Sequence, residues 1–176
     1  MDAAARARKL KLMAFDVDGV MTDGSLYFFD DGIEMKAFNS QDGAGLKMLL
    51  DAGIAVAIIT GRKSRCVELR AENLGIKRLY QGVHDKAACL QGLLDELGIA
   101  ADEAGYMGDD VMDLPVMNAC GFSAAPADGH GVVLRHARLI TRRNGGRAAV
   151  REVCDFILDA QGRLDAGLAR YLPAAG

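Results

Sequence analysis

The stretch Leu10-Lys11-Leu12-Met13-Ala14-Phe15-Asp16-Val17-Asp18-Gly19-Val20 limits the fold more than any other in the chain. An apolar run of strand length breaks off into two carboxylates one residue apart, and the glycine that follows lets the backbone turn. In an extended chain residues i and i+2 face the same side, so Asp16 and Asp18 address one small volume beyond the strand's carboxyl end. Open α/β sheets bind their ligands in that volume. Like charges this close call for a bound cation or a proton on one partner. With Mg²⁺ holding Asp16 ionised, that carboxylate can act as a nucleophile, while Asp18 can carry a proton and serve as general acid and then base. Read alone, Asp-x-Asp also fits a solvated acidic turn, and only partners elsewhere in the chain separate the two.

Two later stretches end the same way. Ile54-Ala55-Val56-Ala57-Ile58-Ile59 is wholly apolar, as a central parallel strand is, and runs into Thr60-Gly61-Arg62. Ala104-Gly105-Tyr106-Met107 runs into Gly108-Asp109-Asp110. Helical spacing covers 42–52, 64–74 and 85–97, with a short strand near Leu79-Tyr80. A helix from Met112 to Ala119 tolerates Pro115 in its first turn, Gly121–Ser123 and Ala137–Ile140 read as short strands, and Ala148–Ala160 as an amphipathic helix. Strands separated by such helices predict an α/β fold with a doubly wound, mainly parallel, Rossmann-like sheet. One domain over residues 1–162 is expected, with a tail at 163–176 that is rich in Ala, Gly and Arg and reads as frayed.

A β-hairpin at 25–38 interrupts this pattern. Ser25–Phe29 and Ile33–Phe38 flank Asp30-Asp31-Gly32, and apolar residues on both sides of an Asp-Gly turn mark a hairpin. If it projects, Leu26, Tyr27, Phe28, Phe29, Ile33 and Met35 need a cover, which a neighbouring subunit supplies economically. The alternative is a hairpin folded back on its own core.

With 176 residues, 51% hydrophobic and 26% charged, the chain is sized for one soluble domain. A net charge of −3 offers no basic field, which argues against a nucleic-acid partner. The four cysteines (Cys66, Cys89, Cys120, Cys154) are too dispersed for a zinc site and read as thiols of a reducing compartment. No signal peptide and no membrane span is evident, so the expected location is cytoplasmic.

A doubly wound sheet brings the three strand ends together. Asp16, Asp18, Asp109, Asp110 and Asp113 with the Thr60 hydroxyl form a hard, oxygen-rich set suited to Mg²⁺. Phosphoryl transfer uses such a site together with a cation for the phosphate, and Lys86 is the candidate. Taken singly, Thr60 also fits a helix cap, Lys86 a solvated head, and Asp109 and Asp110 the charges of a helix N-terminus.

The order Asp-x-Asp-Gly-Val, Thr-Gly-Arg, a single Lys, then Gly-Asp-Asp-x-x-Asp resembles the haloacid dehalogenase superfamily of aspartyl phosphatases. With Lys36-Ala37-Phe38-Asn39, Asp42-Gly43, Tyr80-Gln81-Gly82 and Gly145-Gly146-Arg147, the likeness extends from Leu10 to Gln161 and points to the branch without a large cap that acts on phosphates of sugar acids. The resemblance implies that Asp16 takes the phosphoryl group, that Asp18 protonates the leaving hydroxyl and then activates water, and that Thr60 and Lys86 hold the phosphoryl group. It implies Mg²⁺ on Asp16, the Asp18 carbonyl and Asp109, with Asp110 and Asp113 outside the direct ligands. For the sugar acid it implies Asn39, Ser40, Gln41, Asp42, Gly43, Lys47, Gly61, Arg62 and Arg70. A bidentate guanidinium suits the substrate carboxylate, and relatives for nine-carbon sialic-type acids tend to carry Glu where Arg62 stands. The implied substrate is therefore the eight-carbon 3-deoxy-D-manno-octulosonate 8-phosphate, used in lipopolysaccharide precursor synthesis, and the implied assembly is a homotetramer whose sites borrow residues from a neighbour. Gln41 departs from a frequent Arg, and Ala148 from a Gly usual after Gly-Gly-Arg. Outside this class, a phospho-Asp receiver domain shares much of the set but lacks a carboxylate two residues after the acceptor, and a silent oligomerisation module would not need the full set.

Overall fold

The computed structural model describes residues 2–169. In chain order its strands are β1 (Leu12–Phe15), β2 (Tyr27–Phe28), β3 (Glu34–Met35), β4 (Ala55–Ile59), β5 (Arg78–Tyr80), β6 (Ala104–Met107), β7 (Phe122–Ala125) and β8 (Leu139–Ile140). The helices are α1 (Ala3–Ala7), α2 (Ser40–Asp51), α3 (Arg65–Leu74), α4 (Lys86–Leu97), α5 (Leu114–Ala119), α6 (Gly131–His136), α7 (Ala149–Ala160) and α8 (Leu164–Ala169). Six strands form one parallel sheet in the order β5-β4-β1-β6-β7-β8. Each residue of β1 is buried because the strand is central and both sheet faces are covered. Pleating divides its side chains: Met13 and Phe15 join the layer of α2, α3 and α7, whereas Leu12 and Ala14 join Leu90, Leu93, Val116 and Val133 on the layer of α4, α5 and α6.

The chain winds from β1 toward β4 and β5 on one side, then crosses to β6 and beyond on the other. The β1 end is thus a topological switch point, where a crevice opens at the carboxyl edge. This is the doubly wound, mainly parallel arrangement that the run lengths imply.

Two expectations change, on hairpin strand length and on the tail, and one of two open alternatives is decided. The hairpin strands are two residues each, shorter than their apolar flanks imply, because no third strand extends the β2-β3 ribbon. The hairpin projects: Leu26, Tyr27, Phe28, Phe29, Ile33 and Met35 are all exposed, Phe28 at 61% and Ile33 at 60%. The first part of the tail expected to fray at 163–176 instead forms α8, whose Leu164 and Leu168 pack against the core; residues 170–176 of that tail lie outside the described residues. The short helices α1 and α6 were not legible, α6 because Val132 and Val133 read as strand formers.

Ala148, just before α7, has φ 74°, the left-handed region that favours glycine. Lacking a side-chain cap of its own, α7 receives one from α2: Asp42 Oδ1 accepts from the Arg151 N–H at 2.8 Å. Asp42 is only 2% exposed.

Candidate active site

Strand register decides which side chains meet. Phe15 is level with Ile58 of β4 and Met107 of β6, so Asp16, Thr60 and Asp109 leave the sheet one or two residues beyond a common line. They line a cleft of about 320 Å³ together with Asp18, Lys86 and Asp113. One oxygen each from Asp16, Asp109 and Asp113 lies within 4.8 Å of the others.

The close approach depends on glycine. Gly19 has φ 84°, and a Cβ there would stand 2.1 Å from Asp109 Oδ2. Gly145 in turn packs on Gly19, where a Cβ would meet the Gly19 carbonyl oxygen at 1.8 Å.

Lys86 is the first residue of α4, positioned by Asp85, which caps the helix by accepting from the Ala88 N–H at 2.9 Å. Its buried ammonium donates to Asp16 Oδ2 and to Asp113 Oδ1, both at 2.6 Å. Asp16 Oδ1 accepts from the Val17 N–H at 2.7 Å. Asp113 is held from every side: Tyr106 Oη lies 3.1 Å from Oδ1, and the Asp109 and Asp110 N–H groups donate to Oδ2 at 3.0 and 3.3 Å. With both oxygens engaged, Asp113 is suited to orient Lys86 and the loop rather than to ligate a metal. Thr60 is buried at the end of β4.

Three carboxylates here face a single ammonium, which leaves an excess of negative charge. Burial, then the Asp113 charge, push Asp16 up to about 6 against the pull of Lys86. Burial, then the charges of Asp16, Asp113 and Asp110, push Asp109 up to about 7. An all-oxygen set with uncompensated charge fits a hard divalent cation such as Mg²⁺.

Asp18 stands at the open side, and the hairpin reaches it. Lys36 Nζ donates to Asp18 Oδ1 and lies 3.3 Å from Glu34 Oε1. Arg62 Nε is 3.5 Å from Asp18 Oδ2, and Arg62 Nη2 donates to Glu34 Oε1 at 3.1 Å. Arg62 also lies over the Phe28 ring, 5.8 Å from its centroid. Ser64 Oγ donates to Glu34 Oε2. Burial raises the Glu34 carboxyl, but the hydrogen bonds from Ser64 and Arg62 and the charge of Lys36 outweigh it and hold the group below its ordinary range.

The expected sugar-acid residues are divided. Gly61 and Arg62 line the catalytic cleft, whereas Ser40, Gly43, Lys47 and Arg70 line a separate cavity of about 760 Å³ along α2 and α3. Arg70 crosses α2 where Gly43 has no side chain, and donates to the Asn39 carbonyl at 3.0 Å. Asn39 caps α2, accepting from the Gln41 N–H at 2.8 Å. Gln41 lines a third cavity beside α7, and Asp42 is buried as the α7 cap, without access to a ligand. Glu34, Lys36, Ser64 and Tyr106 were missed as site residues. For Glu34 and Lys36 a signal existed: they are the two polar residues at i and i+2 of a hairpin strand that is otherwise apolar.

A family model for haloacid dehalogenase-like hydrolase matches residues 79–153. The 3-deoxy-D-manno-octulosonate 8-phosphate phosphatase of Escherichia coli strain K12 is 49% identical over 164 residues, 93% of this chain and 87% of that protein. A crystal structure of the enzyme of the same name from Yersinia pestis superposes with TM-score 0.92 at 48% identity, covering 93% of this chain and 89% of that one. The structure of the Moraxella catarrhalis enzyme in complex with a magnesium ion, a phosphate ion and a KDO molecule superposes with TM-score 0.95 at 42% identity, covering 97% and 98%.

Proposed function

Because the chain belongs to the haloacid dehalogenase-like hydrolases, in the branch of the 3-deoxy-D-manno-octulosonate 8-phosphate phosphatases, we propose that it hydrolyses that sugar acid phosphate through an aspartyl-phosphate intermediate. The observation that carries this reading is Lys86 bridging Asp16 and Asp113 at 2.6 Å each, with Asp109 alongside. Asp16 thereby stands at the end of β1 with one oxygen tied to an ammonium that also suits a phosphoryl oxygen.

Asp16 attacks phosphorus, and the ester P–O bond breaks as Asp18 passes a proton to the departing sugar oxygen. Asp18 then takes a proton from water, whose oxygen bonds to phosphorus while the acyl-phosphate bond breaks and returns the Asp16 carboxylate. Thr60 and Lys86 hold the phosphoryl oxygens throughout. Asp16, Asp109 and the Asp18 carbonyl would hold Mg²⁺. Bound there, the ion draws charge from the phosphoryl oxygens and keeps Asp16 ionised at neutral pH.

Arg62 supports an eight-carbon over a nine-carbon acid, and it is the guanidinium at the mouth of the cleft. The assembly is a homotetramer. Of the ten large hydrophobic residues exposed among the described ones, six belong to the hairpin, which concentrates the surface needing cover on one element. A neighbouring subunit docked on this element would complete each site. Among the described residues no helix is long and apolar enough to cross a membrane.

The test is phosphate release over a panel of sugar acid phosphates with Mg²⁺, with Asp16→Asn as control. The octulosonate ester is expected to be the best substrate and the control inactive; turnover by the control would remove Asp16 from its role.

A further inference from the structure

Every group of the reaction above comes from the sheet edge, yet the charged pair on the hairpin is built into the same site. Lys36 has a side chain only 1% exposed, although it directly follows β3 on a hairpin whose Tyr27, Phe28, Ile33 and Met35 face outward. A lysine is rarely so enclosed without partners that need it. Its partners are Asp18 Oδ1 and Glu34 Oε1. Glu34 is itself fixed by Arg62 at 3.1 Å and by the Ser64 hydroxyl, so the ammonium is anchored on the side away from Asp18 as well as toward it. Four charges alternate in sign around this ring: Asp18, Lys36, Glu34, Arg62.

Asp18 needs such a hold. It follows Asp16 by two residues, its side chain is 20% exposed, and its carboxylate contacts in the described structure come from Lys36 and, at 3.5 Å, Arg62. A free carboxylate at a loop mouth would sample several rotamers, whereas proton transfer needs the acidic oxygen within hydrogen-bond reach of the leaving atom.

The geometry points to Lys36 as a positioning residue of the proposed reaction, set in place by Glu34. It occupies Oδ1 of Asp18, so that Oδ2 is the oxygen turned to the leaving group and then to water. In the first step the P–O bond to the sugar breaks, and the proton on Oδ2 goes to the departing oxygen. Lys36 exchanges no proton and touches no reacting atom. The hairpin is therefore part of the catalytic apparatus as well as the element needing cover, and one arm of the ribbon links the two. This inference rests on the reading of Asp18 as acid and base.

The chemistry supplies a test that separates positioning from folding. A sugar alkoxide is a poor leaving group and depends on protonation, whereas p-nitrophenolate leaves without it. Lys36→Met keeps the length of the side chain and removes its charge. The quantity to compare is kcat/KM, which reports steps through the first P–O cleavage, with Mg²⁺ present and the full chain in use. Lys36→Met is expected to lower kcat/KM for the sugar acid phosphate by about 10- to 100-fold, part of the factor a general acid contributes, and for p-nitrophenyl phosphate by less than about threefold. Lys36→Arg should recover much of the loss, and Glu34→Gln should reproduce part of it.

Equal losses on both substrates would mean that Lys36 supports the fold or the phosphate site, and would overturn the inference. A rise in KM confined to the sugar acid, with kcat intact, would make Lys36 a carboxylate receptor and overturn it too, as would no change at all. Asp16→Asn run alongside tests the underlying reading: activity in that variant defeats the aspartyl-phosphate route whatever Lys36 does.

Discussion

Asp42 offers a sharp separation between a structural and a substrate-binding role. Its carboxylate is buried at 2% exposure and stands in for the missing cap of α7. Asp42→Ala strips the Arg151 N–H, in the first turn of α7, of its acceptor, at about 1–3 kcal/mol for a buried donor left unpaired. The same change removes a buried charge whose Oδ2 has no hydrogen-bond partner, which offsets part of that loss. The net falls near a typical cap deletion, about 1–2 kcal/mol, or roughly 2–8 °C in melting temperature for a chain of this size. Asp42→Asn keeps the accepting oxygen and is expected to lose less than about 1 kcal/mol. The two variants also differ in pH response. Burial raises the Asp42 pKa above its ordinary 3.8, so the folded protein binds this proton more tightly than the unfolded chain. The stability it contributes is complete below the ordinary value and is lost as pH rises through the raised one. Asp42→Asn has no such loss, so its deficit against the parent should shrink between pH 4 and pH 7. Thermal unfolding followed by far-UV circular dichroism at several pH values reads all of this. Alanine and asparagine variants that melt together would refute the capping argument, as would intact melting with a raised KM.

Further outcomes follow from the same coordinates. With Asp16 raised to about 6 and Asp109 to about 7, the metal-free protein should lose stability as pH climbs through those values, since both groups bind protons more tightly when folded. Mg²⁺ should therefore raise the melting temperature more at pH 8 than at pH 5, approaching about 2.7 kcal/mol at a hundredfold excess over Kd; a larger shift at pH 5 would contradict the site. Gly19→Ala would put a methyl 2.1 Å from Asp109 Oδ2 and is expected to weaken Mg²⁺ affinity by about tenfold or more, measurable by calorimetry, with far-UV dichroism retained. Replacing Phe28 and Ile33 by Glu should convert the proposed tetramer to smaller species in equilibrium sedimentation; a parent chain that sediments as monomer at micromolar concentration would defeat the assembly proposal.

What the sequence disclosed, it disclosed through period and punctuation. The buried runs of β1, β4 and β6 carry their own length and end on polar residues, so the sheet edge and its acidic set were legible without coordinates. The roles of Asp113 and Tyr106 were less so, because what fixes them is the number of donors converging on one carboxylate, a property of three-dimensional packing. Asp42 misled for the same reason: a carboxylate beside a glycine at a helix start looks available, and only the arrival of α7, more than a hundred residues later, buries it. The division of Lys47 and Arg70 from Arg62 was equally hidden, since a single chain carries no mark of which cavity a long cation will reach.

The contact between Gly145 and Gly19 has a consequence for how this protein can change. Main chain rests directly on main chain there, with a virtual Cβ only 1.8 Å from a carbonyl oxygen, so no side-chain rearrangement can absorb a displacement. A shift in the segment that leads from β8 into α7 is passed undiminished to the turn bearing the nucleophile. Length changes in that distant connection should therefore register as altered chemistry well before they register as a weakened fold.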